Sequence, residues 1–278
     1  MSNRNIGVLH PGEMGVAVAR TAQNSGCEVY WASEGRSLET CRRASGIGLS
    51  DAGTLRRLVE LCPVIVSVCP PEFAEPLASD VAAAEYQGLY IDANAISPER
   101  ARRMGECMAA GGIRFVDACV IGLPATKRGE TWIYFSGPDA EDAAACFSGG
   151  PLEPEVLAGG VGRASALKMC FAAHTKGLAA LRAAVLGTAE ELGVLGDLQR
   201  QWERTGSTFE AAVGSLQHTA PKAWRFVAEM KEIAATFESA GMPGEFHLAA
   251  AEIFARLAPF KGVSKPELRD ALEKLTTR

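Results

Sequence analysis

Short apolar runs alternate, over the first part of the chain, with stretches whose apolar positions recur at helical spacing. Strands are predicted over 5–9, 28–32, 64–68, 89–92, 114–118, 132–136 and 154–157, with helices over 14–25, 37–44, 54–61, 72–84 and 98–110. The strand–helix alternation is that of successive βαβ units. After Gly159-Gly160-Val161-Gly162 the texture changes, and 164–192 becomes Ala/Leu-rich without proline, which predicts one long helix. Further helical stretches follow near 197–205, 207–216, 221–240, 245–257 and 265–275. The expected fold class is α/β, a doubly wound parallel sheet over 1–162 followed by an all-helical C-terminal domain over 163–278.

With 278 residues, 47% of them hydrophobic, the chain can bury a full core in two domains. A net charge of −5, with no Lys/Arg run that resembles a nucleic-acid arm, argues against nucleic acid as a partner. Eight cysteines stand singly, without a C-x-x-C pair or histidines at metal-ligand spacing. Reduced thiols, no metal and a cytoplasmic location are expected. No stretch approaches the roughly 20 apolar residues of a membrane helix, and the first apolar run is too short for a secretory leader.

The first strand breaks into His10-Pro11-Gly12-Glu13-Met14-Gly15 before a helix begins. Such a turn lets a pyrophosphate approach the backbone and meet the N–H groups and positive end of the helix. Against the G-x-G-x-x-G pattern the first glycine is replaced by His10, while Gly12 and Gly15 are kept. This turn predicts a Rossmann-type dinucleotide site. The second strand leads into Trp31-Ala32-Ser33-Glu34-Gly35-Arg36-Ser37, where Ser33, Arg36 and Ser37 suit a 2′-phosphate and favour NADP (NADPH) over NAD. Glu34 turned inward would instead suit ribose hydroxyls.

Val68, Cys69 and Pro70 end the next apolar run, at the edge where ligands of open α/β sheets gather. A strand merely stopped by proline is the plain alternative. Asn94, between Asp92 and Pro98, offers amide groups to a nicotinamide carboxamide or a substrate oxygen, while Asp92 reads as a buried acid holding backbone N–H groups. Gly122 permits a close backbone approach, whether by a ligand or within a turn. Lys168 lies in an otherwise apolar part of the long helix. Desolvation lowers the pKa of an ammonium and suits it to proton transfer; a stem along the core with its head in solvent is the alternative.

Together these residues resemble the β-hydroxyacid dehydrogenase family related to 6-phosphogluconate dehydrogenase. The resemblance rests on the glycine turn, the Pro-stopped strand, the segments 92–98 and 117–122, and the glycine-led helix bearing Lys168. The segment 221–233 is similar to a branch with a phosphogluconate-dehydrogenase-like C-terminal domain. The resemblance implies Lys168 as catalytic acid and base, assisted by Asn94. It also implies a small-molecule substrate near Ile121, Gly122, Leu123, Phe171 and Ala172, and a homodimer through the helical domain. At three places the chain departs from the family pattern: Asn94-Ala95 replaces Ser-Thr, Ile121-Gly122-Leu123 replaces the carboxylate-holding Ser-Gly-Gly, and Ala172 replaces an asparagine. Burying a carboxylate against such apolar groups costs at least a few kcal/mol. The expected substrate is therefore bulkier and less polar than a small 3-hydroxy acid. Imine reduction and a non-catalytic NADP-binding or sensor role are the competing readings.

Overall fold

A computed structural model describes residues 5–206 and 209–277. The chain forms two compact units that divide between Lys168 and Met169. In the first, β1 (Asn5–Val8), α1 (Glu13–Asn24), β2 (Glu28–Trp31), α2 (Leu38–Gly46), β3 (Ser50–Asp51), α3 (Leu55–Leu61) and β4 (Val64–Ser67) are followed by α4 (Ala74–Ala83) and β5 (Leu89–Asp92). Then come α5 (Pro98–Ala110), β6 (Arg114–Ile121), β7 (Thr131–Ser136), α6 (Ala140–Ala144) and β8 (Leu152–Val156).

The strands form one sheet in the order β3-β2-β1-β4-β5-β6-β7-β8. All pairings are parallel except β6 with β7. The order reverses across β1 and β4, as in doubly wound dinucleotide folds. Side-chain alternation sends the central strands into two cores. Ile65, Tyr90 and Phe115 lie in register and pack with Leu58 and Met104 on one face. Val66, Ile91 and Val116 pack with Val18 and Phe147 on the other. Each such buried side chain contributes about 1.5–3 kcal/mol.

The long helix α7 (Arg163–Glu191) runs through the division between the units. The second unit continues with α8 (Leu195–Arg204), α9 (Phe209–Thr219), α10 (Ala223–Ser239), α11 (Glu245–Leu257) and α12 (Leu268–Thr276). The predicted start of the 207–216 helix, at 207–208, lies outside the described residues. Within the segment 224–233, Glu229 is buried and ion-paired with Lys176, whose ammonium also lies over the Phe226 ring. Trp224 carries the Lys261 ammonium on its ring.

Several expectations need correction. The strand predicted to stop at 118 runs to Ile121, because β7 continues to pair with Cys119, Val120 and Ile121. At this edge β7 runs antiparallel to β6 within a sheet otherwise parallel. The last strand begins at Leu152 rather than 154. Ser37 and Thr54 cap their helices from outside instead of forming the first turn. The short elements β3 and α6 escape the sequence pattern because they are too brief to show a period.

Candidate active site

The turn after β1 is held by its own main chain. Leu9 N–H donates to Val66 O, Gly12 N–H to His10 O at 2.8 Å, and Val16 N–H to Gly12 O at 2.8 Å. A Cβ on Gly15 would stand 2.0 Å from the His10 carbonyl oxygen, so this close approach demands glycine. A Cβ on Gly12 would meet nothing within 4 Å. Gly12 caps α1 without a side-chain hydrogen bond, which leaves the positive helix end facing open space. Pro11 is buried, Met14 packs against the core, and Glu13 is exposed in the first helical turn.

His10 and Arg36 meet beside this turn, Arg36 Nη1 donating to His10 Nε2. Burial, then the Arg36 charge, lowers the imidazole pKa to about 4, so the ring is neutral at pH 7. Burial also lowers the pKa of the Arg36 guanidinium. His10 Nδ1 and Arg36 Nε are buried without a partner. Ser37 Oγ accepts from Thr40 N–H as the cap of α2, so its hydroxyl already has structural work. Ser33 N–H donates to Asp51 Oδ1 at 3.3 Å, and Gly53 N–H to the same oxygen at 2.8 Å. Asp51, which sequence reasoning missed, thus shapes the loop after β2 from the two-residue strand beside it. Glu34 is exposed.

At the ends of β4 and β5, Asn94 is turned inward. Its Oδ1 accepts from Cys69 N–H at 2.6 Å; its Nδ2 donates to Ser67 Oγ at 3.0 Å and Asp92 Oδ2 at 2.8 Å. Asp92 Oδ1 also accepts from Asn94 N–H. Both amide donors are therefore committed within the protein. Asn94, expected at the reacting group, thus has both amide hydrogens bonded to Ser67 and Asp92. Asp92 is fully buried, and desolvation raises its pKa to about 7 against the pull of the Asn94 hydrogen bonds. Val68 and Cys69 are half-buried and Pro70 exposed. Burial pushes the Cys69 thiol up to about 12, which keeps it neutral.

Lys168 is positioned by a buried carboxylate. Asp117 on β6 accepts from Ser136 Oγ, Gly162 N–H and Ser165 N–H through Oδ2, and from Ser165 Oγ through Oδ1. Ser136 Oγ in turn accepts from Ala164 N–H. The N-terminal turn of α7 is thereby clamped to β6 and β7. From it, half-buried Lys168 donates through Nζ to Val120 O at 2.8 Å, near the carboxyl end of β6. Ile121 is buried, while Leu123 is 65% exposed. Gly122 has φ 131°, and a Cβ there would strike Thr131 Oγ1 at 2.4 Å. The close approach at Gly122 is thus a turn with its own neighbouring strand. Along α7, Phe171 is 45% exposed and Ala172, one turn beyond Lys168, is buried.

Lys168, Asn94, Cys69 and the His10–Arg36 pair all stand at carboxyl ends of strands, the edge where this architecture takes ligands. A dinucleotide fits them: open space over Gly12, an uncapped helix end, and unpartnered polar atoms on His10 and Arg36. A hollow of about 530 Å³ lies at the other end of α1, among Arg20, Asn24 and Arg128. Its lining has none of these groups. No cluster of potential metal ligands occurs among the described residues.

Residues 5–146 match the family model described as the NAD binding domain of 6-phosphogluconate dehydrogenase. The chain belongs to the 6-phosphogluconate dehydrogenase-like family. Residues 189–257 match a second model, a domain of unknown function, DUF1932. An uncharacterized 28.5 kDa protein of Methanothermus fervidus is 29% identical over 221 residues, 77% of this chain and 84% of its own length. The conserved protein MTH1747, of unknown function and itself described as similar to 3-hydroxyacid dehydrogenases, is 29% identical with a TM-score of 0.67, covering 98% of this chain and all of its own. 3-Hydroxyisobutyrate dehydrogenase of Mycobacterium tuberculosis shares the fold at 18% identity and a TM-score of 0.69, with 99% of each chain covered. An imine reductase of Myxococcus stipitatus shares it more loosely, at 17% identity and a TM-score of 0.53, covering 98% and 99%. Within that family, residues 5–146 form a dinucleotide-binding domain of the 6-phosphogluconate dehydrogenase kind.

Proposed function

We propose that the chain is an NADP-dependent oxidoreductase that interconverts a carbonyl and an alcohol, with Lys168 as general acid and base. The observation that carries this reading is the Lys168 ammonium, held on the Val120 carbonyl by a helix start that Asp117 fixes. Bound NADPH would supply the hydride to the carbonyl carbon. Lys168 Nζ then gives a proton to the developing alkoxide; in the reverse direction it takes one from the hydroxyl. Asn94 acts through Cys69 and Ser67, keeping the β4 end in shape beside the cofactor. Ser33, Arg36 and Ser37 favour the 2′-phosphate, with Ser37 giving backbone support rather than a free hydroxyl.

Ile121, Leu123, Phe171 and Ala172 offer no hydrogen bond to a carboxylate, which supports a bulkier, less polar substrate than a small 3-hydroxy acid. The same apolar set favours imine reduction as a second reading. Leu167, Phe171, Leu178 and Leu181 are exposed at spacings that put them on one face of α7, a stripe suited to a second copy of the chain. All eight cysteines are free thiols, in keeping with a cytoplasmic enzyme. No helix among the described residues is long and apolar enough to cross a membrane.

The test is NADPH oxidation with apolar ketones, 3-oxo acids and cyclic imines side by side. Lys168→Met should cut turnover of the ketones by about a hundredfold or more and leave NADP⁺ affinity intact. Unchanged turnover removes Lys168 from the mechanism, and turnover of imines alone replaces the first reading with the second.

A further inference from the structure

His10 occupies the position that the fingerprint gives to its first glycine, on the turn next to the end of β2. The adenosine ribose of a bound dinucleotide rests between these two segments. Where glycine has no side chain, His10 carries a ring whose Nε2 accepts from Arg36 and whose Nδ1 is buried without a partner. Because Nε2 accepts, the neutral ring carries its proton on Nδ1, an unsatisfied donor. Arg36 Nε is a second unsatisfied donor beside it. Both are buried polar atoms that the fold itself leaves unpaired, and an anion's oxygens would satisfy them.

Resting on the NADP reading above, we propose that His10 and Arg36 form a proton-linked seat for the 2′-phosphate. The phosphate draws the guanidinium from the imidazole, and Nε2, freed of its donor, takes a proton from water. The seat then holds two cations against a phosphate dianion. The empty seat disfavours that proton, because burial and the adjoining Arg36 charge keep the imidazole neutral down to about pH 4. A bound dianion reverses the field and favours it. The other titratable groups nearby do not compete. Cys69, which faces Arg36, stays a neutral thiol, and Asp51 is occupied by the Ser33 and Gly53 amides. Glu13 and Glu34 are exposed.

The experiment is calorimetric titration of the full chain with NADP⁺, NAD⁺, 2′,5′-ADP and 5′-ADP at pH 7, in buffers of different ionisation enthalpy. NADP⁺ and 2′,5′-ADP should take up a substantial fraction of a proton, and NAD⁺ and 5′-ADP none. In His10→Gln, which can accept from Arg36 but cannot titrate, that uptake should vanish. For wild type, NADP⁺ affinity should fall between pH 7 and pH 9 by up to about tenfold per unit once His10 deprotonates in the complex. Labelled-histidine NMR should show one of the four imidazoles rising in pKa when 2′,5′-ADP binds. NADP⁺ bound with the same proton uptake in His10→Gln overturns the proposal and leaves the NADP reading standing. Equal uptake with NAD⁺ and 5′-ADP overturns it by moving the seat to the pyrophosphate. Binding of NAD⁺ without NADP⁺ overturns both.

Discussion

Two glycines three residues apart in the turn after β1 should respond to the same substitution in opposite ways. A Cβ on Gly15 would stand 2.0 Å from the His10 carbonyl oxygen and 3.0 Å from its carbon, both rigid main-chain atoms. The turn must open by more than an ångström, at a cost of about 2–3 kcal/mol if overpacking is the guide. For a unit of this size that lowers the melting temperature by about 5–10 °C. Gly12 has φ −73°, and its Cβ would meet nothing. Gly12→Ala should leave stability unchanged, or raise it by about 0.4–1 kcal/mol through the unfolded chain. Its methyl group nonetheless fills the space through which a pyrophosphate must reach the α1 amides, so dinucleotide affinity should drop at least tenfold. Thermal melts followed by circular dichroism, paired with fluorescence titration of NADPH, measure both quantities on both variants. If Gly12→Ala binds NADPH like wild type, the space over that residue is not where the cofactor lies, and the cradle must be sought elsewhere.

The buried carboxyl of Asp92 makes stability depend on pH. Its pKa in the fold, about 7, exceeds its ordinary value of 3.8, so the folded chain holds the proton more tightly than the unfolded one. The stabilisation is complete below pH 4 and is lost as pH rises through about 7. Asp92→Asn should abolish that slope, worth up to about 4 kcal/mol as an upper bound; urea melts at pH 5 and pH 8 that shift equally in both proteins would refute it. His10 runs the other way, its contribution present above pH 6.5 and lost as pH falls through about 4. Leu178→Arg, on the exposed stripe of α7, should convert a dimer to a monomer in analytical ultracentrifugation without changing the helical spectrum; an unchanged mass would dismiss the stripe as the interface.

The alternation of apolar strands with helices made the sheet readable, because both faces of its central strands are buried under helices. The glycine turn was readable for a related reason, since only glycine survives 2.0 Å from a carbonyl. Direction and pairing were not. Asn94 has the composition of a ligand-binding amide, but Ser67, 27 residues away in sequence, claims one of its protons. His10 and Arg36 lie 26 residues apart, and only the β1–β2 pairing brings them together. Asp51 belongs to a strand of two residues, too short to leave a pattern.

Asp117 shows how the polar interior and the site fit together. Its partners come from β7 and from the start of α7, as many as 48 residues away. Four donors converge on one carboxylate at the positive end of a 29-residue helix, where a negative charge is favoured. Burial nevertheless pushes its pKa upward, outweighing those hydrogen bonds. Such a network stabilises the fold little compared with an apolar core of equal volume, because desolvation offsets most of what the hydrogen bonds contribute. What it does provide is position. A strand edge, a hairpin partner and a helix start become one rigid piece, and the side chain one turn into that helix reaches the Val120 carbonyl. Asn94 does the same for the ends of β4 and β5 through Cys69, Ser67 and Asp92. Asp117 and Asn94 are thus spent on holding neighbouring segments in place. In the reading proposed above, Lys168, the amides at the α1 terminus and the donors on His10 and Arg36 are the groups that meet ligands. That division explains why the turn and the lysine stand out in the sequence, whereas the residues that aim them do not.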